Sequence, residues 1–182
     1  MPRTIYYLPG WSGHLHTGLG QALLQRGFDV AGRETRGEFK DLGFAAQVAT
    51  VKDDLQAHFW SPESMVVANS FGGYLLLHAQ AELEPYPGRV LLLSPIVGGF
   101  ADEETGRYFS PPQEHHLLKL AQQNQYPTPM NCQVHTGSED WQSYPKAVTE
   151  FFALLGIQAN IAEGRGHMLG QDYVGPVLDE WL

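Results

Sequence analysis

Basic residues are scarce in this chain, and cysteine is almost absent. The 182 residues include 11 Lys and Arg against 20 Asp and Glu, so the formal net charge is −9. Phosphate backbones and anionic membranes are bound by clusters of Lys and Arg, and no such cluster occurs in the sequence. We therefore expect no nucleic-acid partner and no membrane partner. Cys132 is the only cysteine, which excludes an intrachain disulfide and argues against a thiolate metal site.

Long apolar runs are also absent. No window of the sequence approaches the roughly 20 apolar residues that a membrane-spanning helix requires. Residues 1–11 contain one basic residue, Arg3, but lack the apolar stretch and small-residue cleavage site of a secretory signal peptide. The sequence therefore predicts a cytoplasmic protein.

The amino-acid composition of the chain is typical of a protein with a folded core. Hydrophobic residues make up 43% of the sequence and charged residues 17%, a balance that is not typical of disordered chains. A chain of 182 residues is long enough to bury a sizeable core and fits one domain. No repeat, low-complexity tract or linker divides it. We expect a single domain over residues 1–182.

Short apolar runs alternate with stretches of helical periodicity. Across residues 44–59, for example, apolar residues recur at intervals of four, three, four and four, as on one face of a helix. Since no hairpin signals join the apolar runs, the alternation predicts an α/β fold, a doubly wound, mostly parallel six-stranded sheet with helices on both faces. Pro176 is expected to break the last helix near its start. Strands are predicted at 4–8, 28–30, 64–69, 89–95, 132–136 and 157–162.

Segment 96–129 interrupts this alternation. Gly98-Gly99, Pro111-Pro112 and Pro127-Thr128-Pro129 punctuate it, and only residues 115–124 have a helical pattern. We expect the rest of the segment to be an irregular insert.

Residues 64–73, with the sequence SMVVANSFGG, predict a strand that turns sharply into a helix, with Ser70 at the bend. This is the shape of a nucleophile elbow, in which the strand and the helix nearly touch and small residues flank the serine. Gly72 meets that requirement, whereas Ala68 departs from the usual G-x-S-x-G by one methyl group. Taken alone, the pattern fits a serine that caps a helix equally well.

Candidate catalytic residues follow three of the predicted strands. In a doubly wound sheet, functional residues lie beyond the carboxyl ends of the strands. Ser70 follows the third strand, Asp140 lies in Gly-Ser-Glu-Asp after the fifth, and His167 lies in Gly-Arg-Gly-His after the sixth. Each also has a plainer interpretation, since Gly-x-x-Asp is often a helix-capping turn and a histidine beside glycines is often a solvated loop residue. Their conjunction favours a Ser-His-Asp triad, with Asp102 as the alternative acid.

The chain resembles a small α/β-hydrolase. The resemblance rests on the order serine, acid, histidine and on the motifs A-N-S-F-G at 68–72, G-S-E-D at 137–140 and G-R-G-H at 164–167. Its compactness and its start at the oxyanion strand are similar to the retinoblastoma-binding-protein-9 group of lidless serine hydrolases. The resemblance implies a compact α/β-hydrolase fold with a minimal cap, in which segment 96–129 occupies the cap position.

The resemblance also implies a role for each triad residue. Ser70 would attack the substrate, and His167 would take its proton and later return it to the leaving group. Asp140 would hold the imidazole tautomer and stabilise the imidazolium. Neither a metal ion nor an organic cofactor is needed for this chemistry.

The first predicted strand leads into Leu-Pro-Gly-Trp at residues 8–11, which resembles the oxyanion loop of the family. The backbone N–H groups of Trp11 and Phe71 would hold the oxyanion. The family motif usually reads His-Gly-Trp or His-Gly-Gly, so Pro9 replaces a histidine. Because backbone groups bind the oxyanion, the replacement need not abolish binding, but it leaves open how the loop is braced.

Aromatic residues near the nucleophile predict an apolar slot. Segment 96–129 is too short to enclose a large substrate, so we expect an open site. His115-His116 lacks a third ligand at metal spacing, and no metal site is expected. The candidate pocket residues are Trp11, His14, Phe71, Phe100, Phe109 and Met168.

These features predict a serine hydrolase that cleaves a carboxylic ester or thioester of a small acyl substrate through an acyl-enzyme. The same triad also serves peptidases, lactonases and acyltransferases, and a fold does not choose among them. Outside enzymes, the alternative is a non-catalytic or weakly active protein-binding module that uses its acidic surface or segment 96–129. The expected partner is a small-molecule ester or acyl compound, and the sequence does not specify an oligomeric state.

Overall fold

A computed structural model of the chain describes residues 3–182, with Asp102 described at its backbone only. No helix in this range combines the length and the apolar character needed to cross a membrane. Its strands are β1 (Thr4–Leu8), β2 (Asp29–Gly32), β3 (Met65–Asn69), β4 (Arg89–Leu93), β5 (Phe100–Asp102), β6 (Arg107–Phe109), β7 (Asn131–Gly137) and β8 (Ala159–Ala162). Its helices are α1 (Leu19–Gln25), α2 (Gly37–Asp41), α3 (Phe44–His58), α4 (Phe71–Ala81), α5 (His116–Gln122), α6 (Pro145–Leu154) and α7 (Gln171–Trp181).

Six strands form one parallel sheet in the order β2-β1-β3-β4-β7-β8. The chain starts in β1, moves outward to β2 and then crosses to β3 on the other side of β1. The register places Tyr7 of β1 opposite Gly32 of β2 and opposite Val67 of β3. Where the strand order reverses in this way, the loops diverge and leave a crevice beyond the carboxyl ends of the strands. The predicted doubly wound, parallel six-stranded sheet is confirmed.

Both faces of the sheet are covered, which explains why its strands are uninterrupted apolar runs. Along β1, Tyr6 and Leu8 face one side while Ile5 and Tyr7 face the other, because successive side chains of a strand alternate. The first side packs against α3, α4, α5 and α6, and the second packs against α1 and α7. Each face therefore has its own buried apolar cluster.

Segment 96–129 contains a β-hairpin that the sequence did not predict. Strands β5 and β6 pair antiparallel with Phe100 opposite Phe109, and Gly106 lies in their turn at a φ of 66°. Strands of three residues are too short to show an alternating pattern, and the turn lacks an Asn-Gly or Asp-Gly pair. The hairpin therefore has little local signal. The helix predicted over 115–124 is present as α5, with narrower bounds.

Pro176 does not break α7, and the prediction that it would is wrong. The helix continues from Gln171 to Trp181 with Pro176 inside it. One clash that disfavours a proline in a helix, that of its ring with the Cβ of the preceding residue, is absent here because the preceding residue is Gly175. Arg26 of the loop after α1 also donates to the Gly175 carbonyl at 3.2 Å.

His78 of α4 is a buried histidine among aromatic rings. It is 3% exposed and contacts the rings of Phe44, Tyr74 and His116. Burial, with a smaller contribution from His116, lowers the pKa of His78 from 6.5 to about 4. As the pH falls, the unfolded chain therefore binds the proton before the folded protein does. The stability that a neutral His78 provides is fully present when the pH lies above the pKa of the histidine in the unfolded chain. It is lost as the pH falls toward the pKa of His78 in the folded protein.

We expect the free energy of unfolding to fall by about 2 kcal/mol between pH 7.5 and pH 5 through His78 alone. Urea unfolding at the two pH values measures this in the wild type and in His78→Leu, which removes the titrating ring. His58→Leu is the control, because His58 is exposed in the last turn of α3. Only His78→Leu should flatten the pH dependence. Equal pH dependence in all three proteins would contradict the assignment to His78.

Candidate active site

Ser70 lies at the turn between β3 and α4 and has a strained backbone. Its φ is 52° and its ψ is −122°, a combination that residues other than glycine rarely adopt. Its N–H donates to the Leu93 carbonyl, and its own carbonyl accepts from the Ile96 N–H, both at 3.2 Å. Backbone strain of this kind persists only where the surrounding contacts hold the residue in that conformation. The sharp strand-to-helix turn expected from residues 64–73 is therefore present.

Gly72 allows α4 to leave this turn close against β1. A Cβ at position 72 would lie 2.2 Å from the Leu8 carbonyl oxygen and 2.4 Å from that of Pro9, so no side chain fits there. Ala68, the departure from the usual motif, is fully buried in β3 between Leu8 and Leu92 of the neighbouring strands. The requirement for a residue without a side chain therefore falls on Gly72, and the Ala68 methyl group is part of the core.

His167 lies between Ser70 and Asp140. Its Nε2 is 2.7 Å from Ser70 Oγ, and its Nδ1 is 2.9 Å and 3.0 Å from the two carboxylate oxygens of Asp140. An ionised carboxylate only accepts, so it places the proton of a neutral His167 on Nδ1 and leaves Nε2 to accept from the Ser70 hydroxyl. The side chain of His167 is 12% exposed and that of Asp140 is 0% exposed. The structure thus brings the three predicted residues together in one hydrogen-bonded chain.

The surroundings of Asp140 favour its ionised form. Burial by itself raises the pKa of this carboxyl, but hydrogen bonds from His167, Ser143 and Gln142 outweigh burial, so the pKa lies below its usual value. The backbone N–H groups of Gln142 and Ser143 both donate to Oδ1 at 2.9 Å. Ser143, which sequence reasoning missed, also donates its hydroxyl to the Ser94 carbonyl at 2.5 Å. This bond ties the loop of the candidate acid to the end of β4.

The loops after β7 and β8 pack backbone against backbone. A Cβ on Gly137 would lie 2.1 Å from the Arg165 carbonyl oxygen, and the Glu139 N–H donates to that oxygen at 2.8 Å. The Arg165 guanidinium binds the Asp172 carboxylate at 2.5 Å and 2.8 Å and donates to the Leu169 carbonyl. The loop that carries the candidate base is therefore held by the loop of the candidate acid on one side and by α7 on the other.

The loop after β1 lies against Ser70. A Cβ on Gly10 would lie 3.2 Å from Ser70 Cβ and 3.6 Å from Ser70 Oγ. The Gly13 N–H donates to the Gly10 carbonyl at 2.9 Å and so closes a turn over residues 10–13. This hydrogen bond does not involve the N–H of Trp11, which lies inside the turn. Phe71 is the first residue of α4, where a backbone N–H has no partner within the helix. Neither predicted oxyanion donor is therefore used by its local secondary structure.

Solved structures of α/β hydrolases match the fold of this chain along its whole described length. Carboxylesterase CesB (YbfK) from Bacillus subtilis matches with a TM-score of 0.68 at 13% identity, over 99% of this chain and 83% of that chain. The α/β hydrolase MGS-MChE2, from a lagoon-sediment metagenome, matches with a TM-score of 0.66 at 16% identity, over 100% of this chain and 90% of that one. Est1E from Butyrivibrio proteoclasticus matches with a TM-score of 0.64 at 14% identity, over 98% and 86%. The chain has the α/β-hydrolase fold.

At these identities the similarity shows the fold alone. No family model matches the chain, and no curated protein matches it. The narrower resemblance to the retinoblastoma-binding-protein-9 group therefore stays a prediction.

Four of the predicted pocket residues form two aromatic pairs on this α/β-hydrolase fold. Trp11 packs edge-on against Phe71, with 5.0 Å between ring centres, and Phe100 stacks on Phe109 at 5.7 Å. Phe100 also contacts Trp141 at 5.8 Å, which sequence reasoning did not select for the pocket. Because Trp141 follows the candidate acid directly, this contact joins the β5–β6 hairpin to the acid loop.

The structure places His14 and Met168 at the protein surface. The His14 ring is exposed, and its Nδ1 lies 2.9 Å from the Arg36 guanidinium and 3.6 Å from the Glu34 carboxylate. Met168 is 85% exposed. The side chain of Asp102, the alternative acid, lies outside the described residues.

Metal-ligating side chains do not converge in the described part of this α/β-hydrolase fold. Within it, no group of three His, Cys, Asp or Glu side chains is placed to hold a metal ion. His116 stacks on the ring of His78, while His115 lies 3.2 Å from the Glu114 carboxylate. The two adjacent histidines thus have separate partners.

Proposed function

We propose that this chain is a serine hydrolase that cleaves a carboxylic ester or thioester of a small acyl substrate through an acyl-enzyme on Ser70. The observation that carries the proposal is the hydrogen-bonded chain from Ser70 Oγ through His167 to the buried Asp140. A serine hydroxyl is a weak nucleophile until an adjacent base takes its proton. A serine that merely capped α4 would bond to the start of that helix, and the Ser70 side chain makes no such bond.

Acylation follows from this geometry. Ser70 Oγ attacks the acyl carbon while its proton passes to His167 Nε2, and the carbonyl oxygen becomes an oxyanion. The N–H groups of Trp11 and Phe71 donate to that oxyanion, and one such donor typically contributes about 3 kcal/mol of transition-state stabilisation. The Asp140 carboxylate stabilises the imidazolium. His167 then gives its proton to the leaving alcohol or thiol as the bond from that group to the acyl carbon breaks.

Deacylation repeats these steps with water. His167 Nε2 takes a proton from a water molecule while the water oxygen attacks the acyl carbon of the Ser70 ester. A second oxyanion forms at the same two backbone donors. When it collapses, the bond from Ser70 Oγ to the acyl carbon breaks and His167 returns the proton to Ser70. The products are a carboxylic acid and the free enzyme.

Two exposed tryptophans support a small acyl substrate at an open site. Trp11 is 59% exposed beside the nucleophile, and Trp141 is 39% exposed beside the acid, so apolar surface flanks the reacting groups. Among the structural neighbours, CesB is named a carboxylesterase, which supports ester chemistry on this fold. The fold does not itself select an ester over a peptide or a lactone.

Hydrolysis of a graded panel of p-nitrophenyl esters and acyl thioesters, from acetyl to dodecanoyl, tests the proposal. We expect turnover of the short acyl esters that declines as the acyl chain lengthens, because an open apolar slot holds little of a long chain. Matched p-nitroanilides identify a peptidase if they are cleaved faster than the esters. A folded protein that hydrolyses no member of the panel would contradict the proposal and favour the binding module.

A further inference from the structure

We propose that Thr35 is the positioning residue that braces the oxyanion loop through the turn of residues 10–13, in which that loop ends after β1. The inference rests on the proposed function, since it concerns where the Trp11 N–H is held when the oxyanion forms. Pro9 stands where a histidine is usual and offers neither a side-chain hydrogen bond nor a backbone N–H. The bracing that the sequence leaves open therefore has to come from elsewhere in the chain.

Thr35 makes three hydrogen bonds to the oxyanion loop. Its hydroxyl donates to the Gly10 carbonyl and accepts from the Gly13 N–H at 2.9 Å. Its backbone carbonyl accepts from the Ser12 N–H at 3.0 Å. Three of the four residues of turn 10–13 are thus bound by one residue. The fourth is Trp11, whose N–H is the proposed oxyanion donor.

These hydrogen bonds lie in a protected place. Thr35 is 1% exposed, so water competes little for its hydroxyl. Because that hydroxyl donates to one loop residue and accepts from another, its hydrogen has one favoured orientation. The β-branched side chain is also stiff about χ1, which restricts the movement of the hydroxyl. Thr35 therefore holds the loop in a single position.

The segment that carries Thr35 is itself anchored to the sheet. At the end of β2, a Cβ on Gly32 would lie 2.0 Å from the Tyr7 carbonyl oxygen of β1, so the two backbones touch there. The next residue, Arg33, binds both carboxylate oxygens of Asp54 in α3 at 2.6 Å and 2.7 Å. The segment that braces the oxyanion loop is thus fixed to β1 and to α3, so it is not a free loop.

Loss of this bracing should affect the chemical step more than substrate binding. The oxyanion carries its charge only in the transition state and the tetrahedral intermediate, so a misplaced donor lowers kcat while KM changes little. Removing the hydroxyl leaves the Gly10 carbonyl and the Gly13 N–H with only the hydrogen bond between them, so no side chain then ties either side of Trp11 to the Thr35 segment. A displacement of about 1 Å is enough to lower a rate by about 100-fold.

Thr35→Val tests the inference because it removes the hydroxyl and keeps the shape of the side chain. We expect kcat for p-nitrophenyl acetate to fall by about 10- to 100-fold with KM within about threefold of wild type. Thr35→Ser keeps the hydroxyl and should retain kcat within about threefold. Thr50→Val is the matched control, since the Thr50 hydroxyl donates to the Ala46 carbonyl within α3. Its kcat should equal that of the wild type.

The inhibition constant of phenylboronic acid is a second measurement, and a loss of protein stability alone would not change it. Ser70 Oγ forms a bond to boron as its proton passes to His167, and an oxygen of the tetrahedral boronate occupies the oxyanion position. The inhibition constant of Thr35→Val should therefore rise by the same factor by which kcat falls. The inhibition constants of Thr35→Ser and Thr50→Val should stay at the wild-type value.

Wild-type kcat and wild-type boronate affinity in Thr35→Val would overturn the inference, as would equal losses of kcat in Thr35→Val and Thr50→Val. If Thr35→Val does not fold, Thr35→Ala takes its place in both assays under the same criteria. A wild-type protein that hydrolyses no ester contradicts the proposed function instead. The inference about Thr35 fails where the wild type is active and Thr35→Val either keeps that activity or loses no more of it than Thr50→Val does.

Discussion

Asp140→Asn is expected to lower kcat for ester hydrolysis by about 10⁴-fold while the protein remains folded. The N–H groups of Gln142 and Ser143 donate to one carboxylate oxygen of Asp140, so an asparagine turns its carbonyl oxygen toward them. Its NH₂ group then faces His167 Nδ1, which has to accept instead of donate. The ring proton moves to Nε2, where it prevents the ring from accepting the proton of Ser70.

Steady-state kinetics with p-nitrophenyl acetate, together with circular dichroism of the folded variant, measure this effect. Asp179→Asn is the matched control, since it neutralises an exposed carboxylate of α7 that pairs with Arg26. Its kcat should be unchanged. A kcat within about tenfold of wild type in Asp140→Asn would remove Asp140 from the triad, given the ~10⁴-fold loss expected of a triad acid. If Asp102 is the acid, Asp102→Asn carries the loss instead.

His167→Ala is expected to lower kcat by at least about 1,000-fold. Its Nε2, at 2.7 Å from Ser70 Oγ, is the only group that the described structure places against the hydroxyl as a base. Without it, the serine has to lose its proton to water during the attack. The rate that remains comes from the oxyanion donors and from substrate binding.

Addition of imidazole separates the loss of a base from the loss of the fold. The free base fits the space left by the ring and takes the proton in its place, so part of kcat should return in His167→Ala and none in Ser70→Ala. His58→Ala, at an exposed site in α3, should retain the wild-type kcat without imidazole. Near wild-type turnover in His167→Ala would show that the histidine plays no part in the mechanism.

The sheet and the three candidate catalytic residues could be predicted because each depends on signals within one short stretch. Buried parallel strands are continuous apolar runs, and strand direction decides which loops share an edge. Ser70, Asp140 and His167 could therefore be assigned to one edge from the residues that follow their strands. The β5–β6 hairpin was missed because strands of three residues carry almost no pattern. Pro176 was misjudged because a proline inside a helical pattern usually ends the helix, whereas α7 continues through it with Gly175 before the proline.

The residues that hold the site in place could not be predicted, because they act between distant segments. Thr35 and Gly10 are 25 residues apart, and Ser143 and Ser94 are 49 residues apart. In the sequence, a threonine in a polar stretch and a serine before a helix resemble ordinary turn residues. Only the packing of the loops against one another gives these two hydroxyl groups their partners.

Labelling with a fluorophosphonate probe tests most directly whether Ser70 is an activated nucleophile. Ser70 Oγ displaces fluoride from the phosphorus of the probe while its proton passes to His167. We expect one covalent adduct, located on Ser70 by mass spectrometry of a digest of the wild-type protein, and no adduct in Ser70→Ala. A folded wild-type protein that is not labelled at Ser70, or a Ser70→Ala variant labelled to the same extent, would contradict the central claim.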